Sequence, residues 1–316
     1  MSVVVEMQNR NSDAQQIAAE LMRKARAAQE IFAEADQART DEAVRAIAWS
    51  LYKPEHAKEL AELAVKDTGL GNVPDKIMKK QRKTFGTLRD MLRAKTVGEI
   101  ERDVKRGIVK FAKPIGVVGA ITPSTNPGAT PVNKALMAIK GRNAIIIAPS
   151  PLGLHTTEMV VNYMRDALDQ IGLPKDLVQI LPSPITKETT QALMEAVDLV
   201  VITGSQGNGP RGSSGGTPAI GVGPGNVPGI VDATAPFDSA AQKICASKTF
   251  DNSTSCSSEN SVVIVDACYD KAIAALKKAG AFLVEPASKA KVVGEVWKNG
   301  KLNRPLIARY MSILAE

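Results

Sequence analysis

The sequence predicts an α/β protein in which a doubly wound parallel sheet is followed by a second, incomplete α/β domain. Short apolar segments alternate with segments of helical periodicity centred near Lys134, Val160 and Leu193. The apolar segments are residues 115–121, 143–148, 177–181 and 198–203. Strands that are apolar on both faces and separated by helices are typical of a parallel sheet covered on two sides. The 316 residues, of which 44% are hydrophobic, suffice for about two domains.

The N-terminal part, up to about residue 95, contains the start and stop signals of consecutive helices. Ser12 and Gln15 have capping-box spacing, which predicts that a helix begins at Ser12. Pro54 suits the first turn of a later helix, and Gly69 to Gly71 supply a stop before the next one. Residues 101–114 then alternate apolar and polar side chains, which predicts a hairpin.

The three cysteines, Cys245, Cys256 and Cys268, predict reduced thiols and no disulfide framework. Their spacings do not match paired metal-ligand motifs, so no metal site is expected. The first thirty residues contain no secretory apolar core, and about 18 consecutive apolar residues occur nowhere in the sequence. We therefore expect a cytoplasmic protein that does not enter a membrane.

The net charge of +7 is compatible with three classes of anionic partner: nucleic acid, a membrane surface or a small molecule. Aromatic residues make up only 4% of the chain, and the basic residues are interspersed with acidic ones. This pattern favours a solvated surface of mixed charge over nucleic-acid binding. Anionic substrates and cofactors remain the main alternative source of the excess.

Small polar and proline-rich segments follow three of the predicted strands. They read TPSTNP from Thr122, APSP from Ala148 and TGSQGNG from Thr203. In doubly wound sheets ligands bind at the carboxyl ends of the strands, and small residues let the backbone approach a phosphate or a ring closely. The usual G-x-G-x-x-G is missing, and GVGPGN at 221–226 matches it only partly.

From about Ala27 onwards the residues resemble the aldehyde dehydrogenase superfamily, and within it the CoA-acylating branch. The motifs that carry the resemblance are TPSTNP with Asn126, TGSQ leading to GTPAIGVGPGNVP, and FDNSTSCSSEN with Cys256. The resemblance implies an aldehyde dehydrogenase-like fold with a Rossmann-type domain. We assign residues 1–228 to a dinucleotide-binding domain with N-terminal helices, and 229–316 to a partial catalytic domain.

Cys256 is the candidate nucleophile. A thiolate is the side chain best suited to attack an aldehyde at neutral pH, and Cys256 lies among small polar residues between a predicted helix and a predicted strand. Cys245 and Cys268 fit the commoner role of small buried side chains. The resemblance implies that Asn126 and the backbone N–H of Cys256 stabilise the oxyanion, although Asn126 also suits a turn before Pro127.

The fate of the resulting thioester separates two classes of enzyme. Hydrolytic relatives carry a glutamate that activates water, whereas the corresponding run here, GVGPGN, contains no carboxylate. This favours transfer of the acyl group to coenzyme A. Glu259 lies three residues after Cys256, and a contact at the strand edge is at least as good an explanation for it as base catalysis.

The resemblance implies NADP or NAD as the cofactor. No glutamate stands near Pro151 to repel a 2′-phosphate, which slightly favours NADP, and His155 suits either a phosphate contact or a helix start. The residues implied in cofactor binding are Thr122, Pro123, Ser124, Thr125, Pro149, Ser150, Pro151, Gly204, Ser205, Gly223, Pro224 and Gly225.

The overall resemblance favours a small sulfonated aldehyde, sulfoacetaldehyde, with acetaldehyde and succinate semialdehyde as alternatives. A sulfonate requires cations or amide donors. Arg82, Lys83 and Arg89 are candidates, but their spacing is more typical of a solvated helix face.

Two departures from the family pattern leave another class open. The glycine-rich run at 207–216 disfavours a helix where relatives form one, and the chain is expected to end before the catalytic domain is complete. An inactive fragment that binds NAD(P) is therefore the alternative to an enzyme. The resemblance also implies a homo-oligomer for the full-length form.

Overall fold

The computed structural model describes residues 3–204, 216–222 and 225–308. By their internal contacts the residues form two compact units. The first unit comprises Met1–Thr68 and Ile77–Gly223, and the second comprises Gly69–Lys76 and Pro224–Glu316. Sequence reasoning did not assign the short segment at 69–76 to the second unit. The division into domains after Pro228 stays a prediction.

Four helices open the chain. They are α1 (Val3–Ala33), α2 (Gln37–Tyr52), α3 (Pro54–Thr68) and α4 (Val73–Leu92). Pro54 begins α3 as predicted, and Gly69 and Gly71 adopt positive φ angles of 63° and 71° after its end. The predicted helix start at Ser12 is wrong. Because residues 3–11 contain no glycine or proline, α1 continues through Ser12, whose side chain is exposed.

The described part of the first unit contains a five-stranded parallel sheet. Its strands are β3 (Val117–Ile121), β4 (Ala144–Ala148), β5 (Val178–Ile180), β6 (Leu199–Ile202) and β7 (Ala219–Gly221), in the order β5-β4-β3-β6-β7. Each of the four predicted apolar segments contains one of the first four of these strands. β7 was not predicted, because its three residues lie among glycines and a proline.

Three helices connect these strands at the predicted places: α5 (Thr130–Lys140), α6 (Leu154–Gln170) and α7 (Lys187–Ala196). All residues of β3 and β4 are buried, and their side chains form the centre of a core that also includes Phe32, Ile47 and Leu136. This is the doubly wound arrangement that the sequence predicts. The predicted hairpin is present as β1 (Gly98–Asp103) and β2 (Ile108–Ala112), which pair antiparallel.

The second unit contains far fewer strands. A parallel pair, β8 (Val227–Val231) and β9 (Glu259–Ile264), packs against α8 (Phe237–Thr249), and α9 (Tyr269–Lys278) packs against α8. The helix α10 (Pro286–Val296) follows. After it comes a short hairpin whose strands have two residues each, β10 (Trp297–Lys298) and β11 (Lys301–Leu302). Among the residues described, no helix is both long and apolar enough to cross a membrane.

Candidate functional site

The loops predicted to bind a cofactor leave one edge of the parallel sheet. β4, β3 and β6 are neighbours, and Ile121 pairs with both Ala148 and Ile202 at their ends. The Thr122 backbone N–H donates to the Ala148 carbonyl at 3.0 Å, and the Thr203 N–H donates to the Ile121 carbonyl at 3.0 Å. Because these bonds extend the ladder by one residue, the three loops start from fixed positions.

The structure brings most of the predicted cofactor residues to this edge. Those that follow β3, β4 and β6 respectively are Thr122, Pro123, Ser124 and Thr125; Pro149, Ser150 and Pro151; and Gly204. Asn126 lies in the same loop as the first group. Ser205, Gly223 and Pro224 fall outside the described residues. Gly225 belongs to the second unit.

The loops after β3 and β4 pack closely against each other. A Cβ atom at Gly153 would lie 2.6 Å from the Pro127 Cβ, so only glycine fits there without a shift. The Thr157 hydroxyl lies 3.3 Å from the Pro127 carbonyl, to which it donates. The segment after Asn126 is therefore held against the beginning of α6.

A buried lysine lies beneath the same edge. Lys134 is 5% exposed, and its Nζ donates to the carbonyls of Ile121 at 2.8 Å and Val201 at 2.7 Å. Ile121 is the last residue of β3 and Val201 is the last but one of β6. The amine therefore links the ends of these two strands. Burial lowers the pKa of Lys134 from its ordinary value of 10.5 to about 7. Sequence reasoning placed Lys134 in a helix but assigned it no role.

The N-terminus of α6 is capped from another helix. The Asp67 carboxylate accepts hydrogen bonds from the Thr156 N–H at 2.8 Å and from the Thr156 hydroxyl at 2.7 Å. Nδ1 of the exposed His155 lies 3.2 Å from Asp67. The helix-start role considered for His155 is thus present, and a contact to a cofactor phosphate stays a prediction.

In the second unit, Cys256 is exposed and lies between α8 and β9, as predicted. The three residues Asp251, Asn252 and Ser253, just before it in the chain, all have positive φ angles. Gly225 packs against it: a Cβ at Gly225 would lie 3.2 Å from the Cys256 carbonyl oxygen. The backbone at Gly225 therefore approaches the cysteine closely.

The other candidates of the second unit have simpler environments. Cys268 is buried, with its Sγ 3.2 Å from the Val265 carbonyl, and Cys245 is half-buried in α8. Glu259 begins β9, and a hydrogen bond from the Ser247 side chain lowers the pKa of its carboxyl. An ionised carboxylate turned towards α8 fits the contact at the strand edge.

The cations considered for an anionic substrate lie on the exposed side of α4. Arg82, Lys83 and Arg89 are all exposed, which is the solvated face that their spacing favours. The buried basic residues of this helix are different ones: Lys76, Lys79 and Lys80. Sequence reasoning missed these lysines, because in the run KIMKKQRK they stand beside further basic residues that are typical of a solvated helix face.

The chain is similar to known proteins over nearly its whole length. The model of the aldehyde dehydrogenase family matches residues 3–304. A sulfoacetaldehyde dehydrogenase (acylating) of Cupriavidus necator is 49% identical over 298 residues, which cover 94% of this chain and 60% of that protein. The chain thus spans about three fifths of the length of this relative.

Solved structures of similar proteins have the same fold. An acetylating aldehyde dehydrogenase from Geobacillus thermoglucosidasius superposes with a TM-score of 0.90 at 35% identity, covering 96% of this chain and 67% of that one. A propionaldehyde dehydrogenase of Rhodopseudomonas palustris, solved with bound CoA and an acylated cysteine, has a TM-score of 0.83 at 26% identity. It covers 95% of this chain, which in turn covers 69% of it.

Proposed function

The chain belongs to the aldehyde dehydrogenase family, and on that premise we propose that it carries the chemistry of a CoA-acylating aldehyde dehydrogenase with Cys256 as the nucleophile. The observation that supports this most is the placement of Cys256. It is an exposed thiol in a turn next to the backbone of Gly225, and the GVGPGN run of the sequence contains no carboxylate. Without a base to activate water, a thiol acceptor is favoured over hydrolysis.

The reaction has three steps at the cysteine. The Cys256 thiolate adds to the aldehyde carbon, which forms a C–S bond and places a negative charge on the aldehyde oxygen. Loss of hydride from that carbon to a nicotinamide, which the loops after β3, β4 and β6 would hold, would leave a thioester on Cys256. The thiolate of CoA then attacks the thioester carbonyl, and the Cys256 thiolate leaves. The products are acyl-CoA, the reduced cofactor and one proton.

We assign the stabilisation of the developing oxyanion to the Asn126 side-chain amide and the Cys256 backbone N–H, following the family pattern. Amide donors that are fixed in place act without reorganisation when the charge forms. The loop backbone next to Asn126 is held in place, because Pro127 packs against Gly153 and Thr157.

The residues at the sheet edge fit a dinucleotide. The loops after β3, β4 and β6 carry small or proline side chains, and the contact of Gly153 with Pro127 leaves no room for a larger side chain there. We propose that Thr122–Thr125, Pro149–Pro151 and Gly204 line the cofactor site. NADP is the slightly preferred cofactor, because Pro151 stands where NAD-selective relatives often carry a glutamate.

Sulfoacetaldehyde is the proposed substrate, and its support is the similarity to the Cupriavidus necator enzyme. Acetaldehyde and succinate semialdehyde are the alternatives. A panel of the three aldehydes decides between them by kcat/KM.

The test of the function is CoA-dependent reduction of NADP⁺ or NAD⁺ by the 316-residue protein with each aldehyde. Cys256→Ala should abolish it, and Cys245→Ala, which removes the half-buried thiol of α8, is the matched control that should keep it. Asn126→Ala should lower kcat by about 10²–10³-fold. Turnover that continues without CoA would contradict the acylating class. Cofactor binding without any turnover would favour the NAD(P)-binding fragment instead.

A further inference from the structure

The turn that precedes Cys256 has an unusual backbone. Asp251, Asn252 and Ser253 have φ angles of 51°, 51° and 63°, in the left-handed region that non-glycine residues rarely adopt. Three such residues in a row persist only where surrounding contacts determine them. The question is which contacts hold this turn.

The contacts converge on Asp251, whose side chain is fully buried. Its Oδ1 accepts the Asn72 backbone N–H at 3.1 Å, and its Oδ2 accepts the Lys76 ammonium at 3.1 Å. The Thr254 hydroxyl donates to the same Oδ2. The Asp251 backbone N–H in turn donates to the Asp75 carboxylate at 2.7 Å.

The partner segment, Gly71 to Lys76, is itself rigid. The Asn72 side chain caps the beginning of α4, because its Oδ1 accepts the Asp75 N–H at 2.9 Å, and its Nδ2 donates to Asp75 Oδ2 at 2.7 Å. Gly71 has no side chain where Asp251 lies, since a Cβ there would be 1.8 Å from the Asp251 Oδ1. The carboxylate therefore fits a preformed cradle.

The ion pair with Lys76 makes this arrangement specific. The Lys76 side chain is 4% exposed and that of Asp251 is 0% exposed. A buried carboxylate is tolerated only where charge and hydrogen bonds compensate it. The turn must therefore bring Asp251 to Lys76 and Asn72. A different backbone path would separate the Asp251 carboxylate from the Lys76 ammonium and leave both charges buried without compensation.

We infer that Asp251, paired with Lys76 and linked to the next turn through Thr254, is a positioning residue that fixes the orientation of the Cys256 thiol. Thr254 is the link because its hydroxyl reaches the carboxylate while its N–H donates to the Asp251 carbonyl at 3.1 Å. Cys256 follows two residues later. The inference rests on the proposed role of Cys256 and adds to it the groups that hold the nucleophile.

The test uses thiol–thioester exchange in the 316-residue protein, followed as the mass increase of the Cys256 peptide with acetyl-CoA. In this exchange the Cys256 thiolate takes the acetyl group and CoA leaves as its thiol. Asp251→Asn keeps the size of the side chain but removes its charge, and we expect it to slow acylation at least tenfold. Lys76→Met should do the same.

Thr254→Val keeps the buried pair and therefore the fold, but loses the link. We expect at least a tenfold loss in acylation rate and in kcat, with KM for the aldehyde within twofold, and recovery to within twofold in Thr254→Ser. Thr249→Val is the matched control, because the Thr249 hydroxyl donates to the Cys245 carbonyl and not to Asp251. A Thr254→Val protein as reactive as the Thr249→Val protein would overturn the inference.

A second readout separates this result from a failure of the proposed function. If the unsubstituted protein is not acylated, the assignment of Cys256 as the nucleophile fails. The positioning role is then tested separately, by the pH profile of iodoacetamide alkylation at Cys256. Thr254→Val must then shift the midpoint of that profile by at least about half a pH unit relative to Thr249→Val. An unchanged midpoint would overturn the positioning role as well.

Discussion

The two units hold their functional loops by different means. In the first unit, the loops after β3 and β4 leave strands whose residues are all buried, and the hydrogen bonds of the sheet continue into Thr122 and Thr203. In the second unit, β8 and β9 form a two-stranded sheet with Ile230 76% exposed and Val263 55% exposed, and the turn before Cys256 is held by buried polar groups around Asp251. Apolar burial provides a broad, tolerant support, whereas a buried ion pair depends on a few atoms.

The largest change in the free energy of unfolding is expected when a buried isoleucine of the first unit is compared with an exposed isoleucine of the second. Ile146 in β4 is fully buried, and Ile146→Ala should lower the free energy of unfolding by about 4 kcal/mol, since it leaves a cavity in a packed core. Ile230→Ala in β8 should change it by less than about 0.5 kcal/mol because the side chain is already exposed. Urea unfolding measures both. Equal losses would mean that β8 is packed as β4 is.

The buried lysine of the first unit gives the next effect, and it depends on pH. Burial lowers the pKa of Lys134 to about 7, whereas the unfolded chain keeps the ordinary value of 10.5. Between these values the unfolded state binds more protons, so the free energy of unfolding should rise by about 4 kcal/mol from pH 7 to pH 10.5. Lys134→Met should remove this rise.

The same helix offers the control for that measurement. Lys140 is also buried in α5, but its ammonium forms an ion pair with Asp41. Unfolding curves of Lys140→Met across the same pH range should keep the rise. Its loss in both variants would assign it to some other group.

A pair of glycines tests the cradle in the second unit. Gly71 and Gly98 have nearly the same φ, 71° and 72°, but a Cβ at Gly98 would meet nothing within 4 Å. Gly98→Ala should therefore cost about 1 kcal/mol for the backbone conformation alone. Gly71→Ala should cost about 2 kcal/mol more, because it also displaces the buried Asp251 carboxylate. Thermal unfolding and the acylation rate of Cys256 should both report the difference, and similar results for the two variants would contradict the cradle.

The smallest effect concerns a polar contact in the first unit. Thr186 caps α7: its hydroxyl accepts the Thr189 N–H at 3.1 Å, and the Thr186 N–H donates to the Thr189 hydroxyl at 3.0 Å. Thr186→Ala should cost about 1 kcal/mol in urea unfolding, as the loss of an N-cap does. Thr190→Ala, one turn into the helix, is the control and should cost less. A cost above that of Gly71→Ala would reverse the contrast between the units.

Much of the first unit could be predicted because its signals are local. The apolar runs that became β3 to β6, the helices between them and the hairpin at 101–114 depend on periodicity and on turn residues. The start of α1 could not, because Ser12 has the spacing of a cap but the chain before it continues the helix. β7 is set by its pairing with β6 and has no apolar run of its own.

The family, the acylating resemblance and the fold class were evident from the motifs around Asn126 and Cys256, and the match over residues 3–304 and the solved structures confirm the family and the fold. The roles of the site residues stay predictions. The groups that sequence reasoning missed, Lys134 and Lys76 with Asp251, are charged side chains. Charged side chains are usually exposed, and the partners that allow these to be buried come from segments remote in the sequence.

The order of side chains along the chain is sufficient to identify strands and helices and to single out a thiol among small polar residues, because these features depend on residues close together in sequence. The folded structure adds that a segment around Asn72, some 180 residues before Asp251, encloses that carboxylate, and that Lys134 joins the ends of two strands. Burial and charge pairing depend on distances between segments remote in sequence, and those distances exist only once the chain has folded.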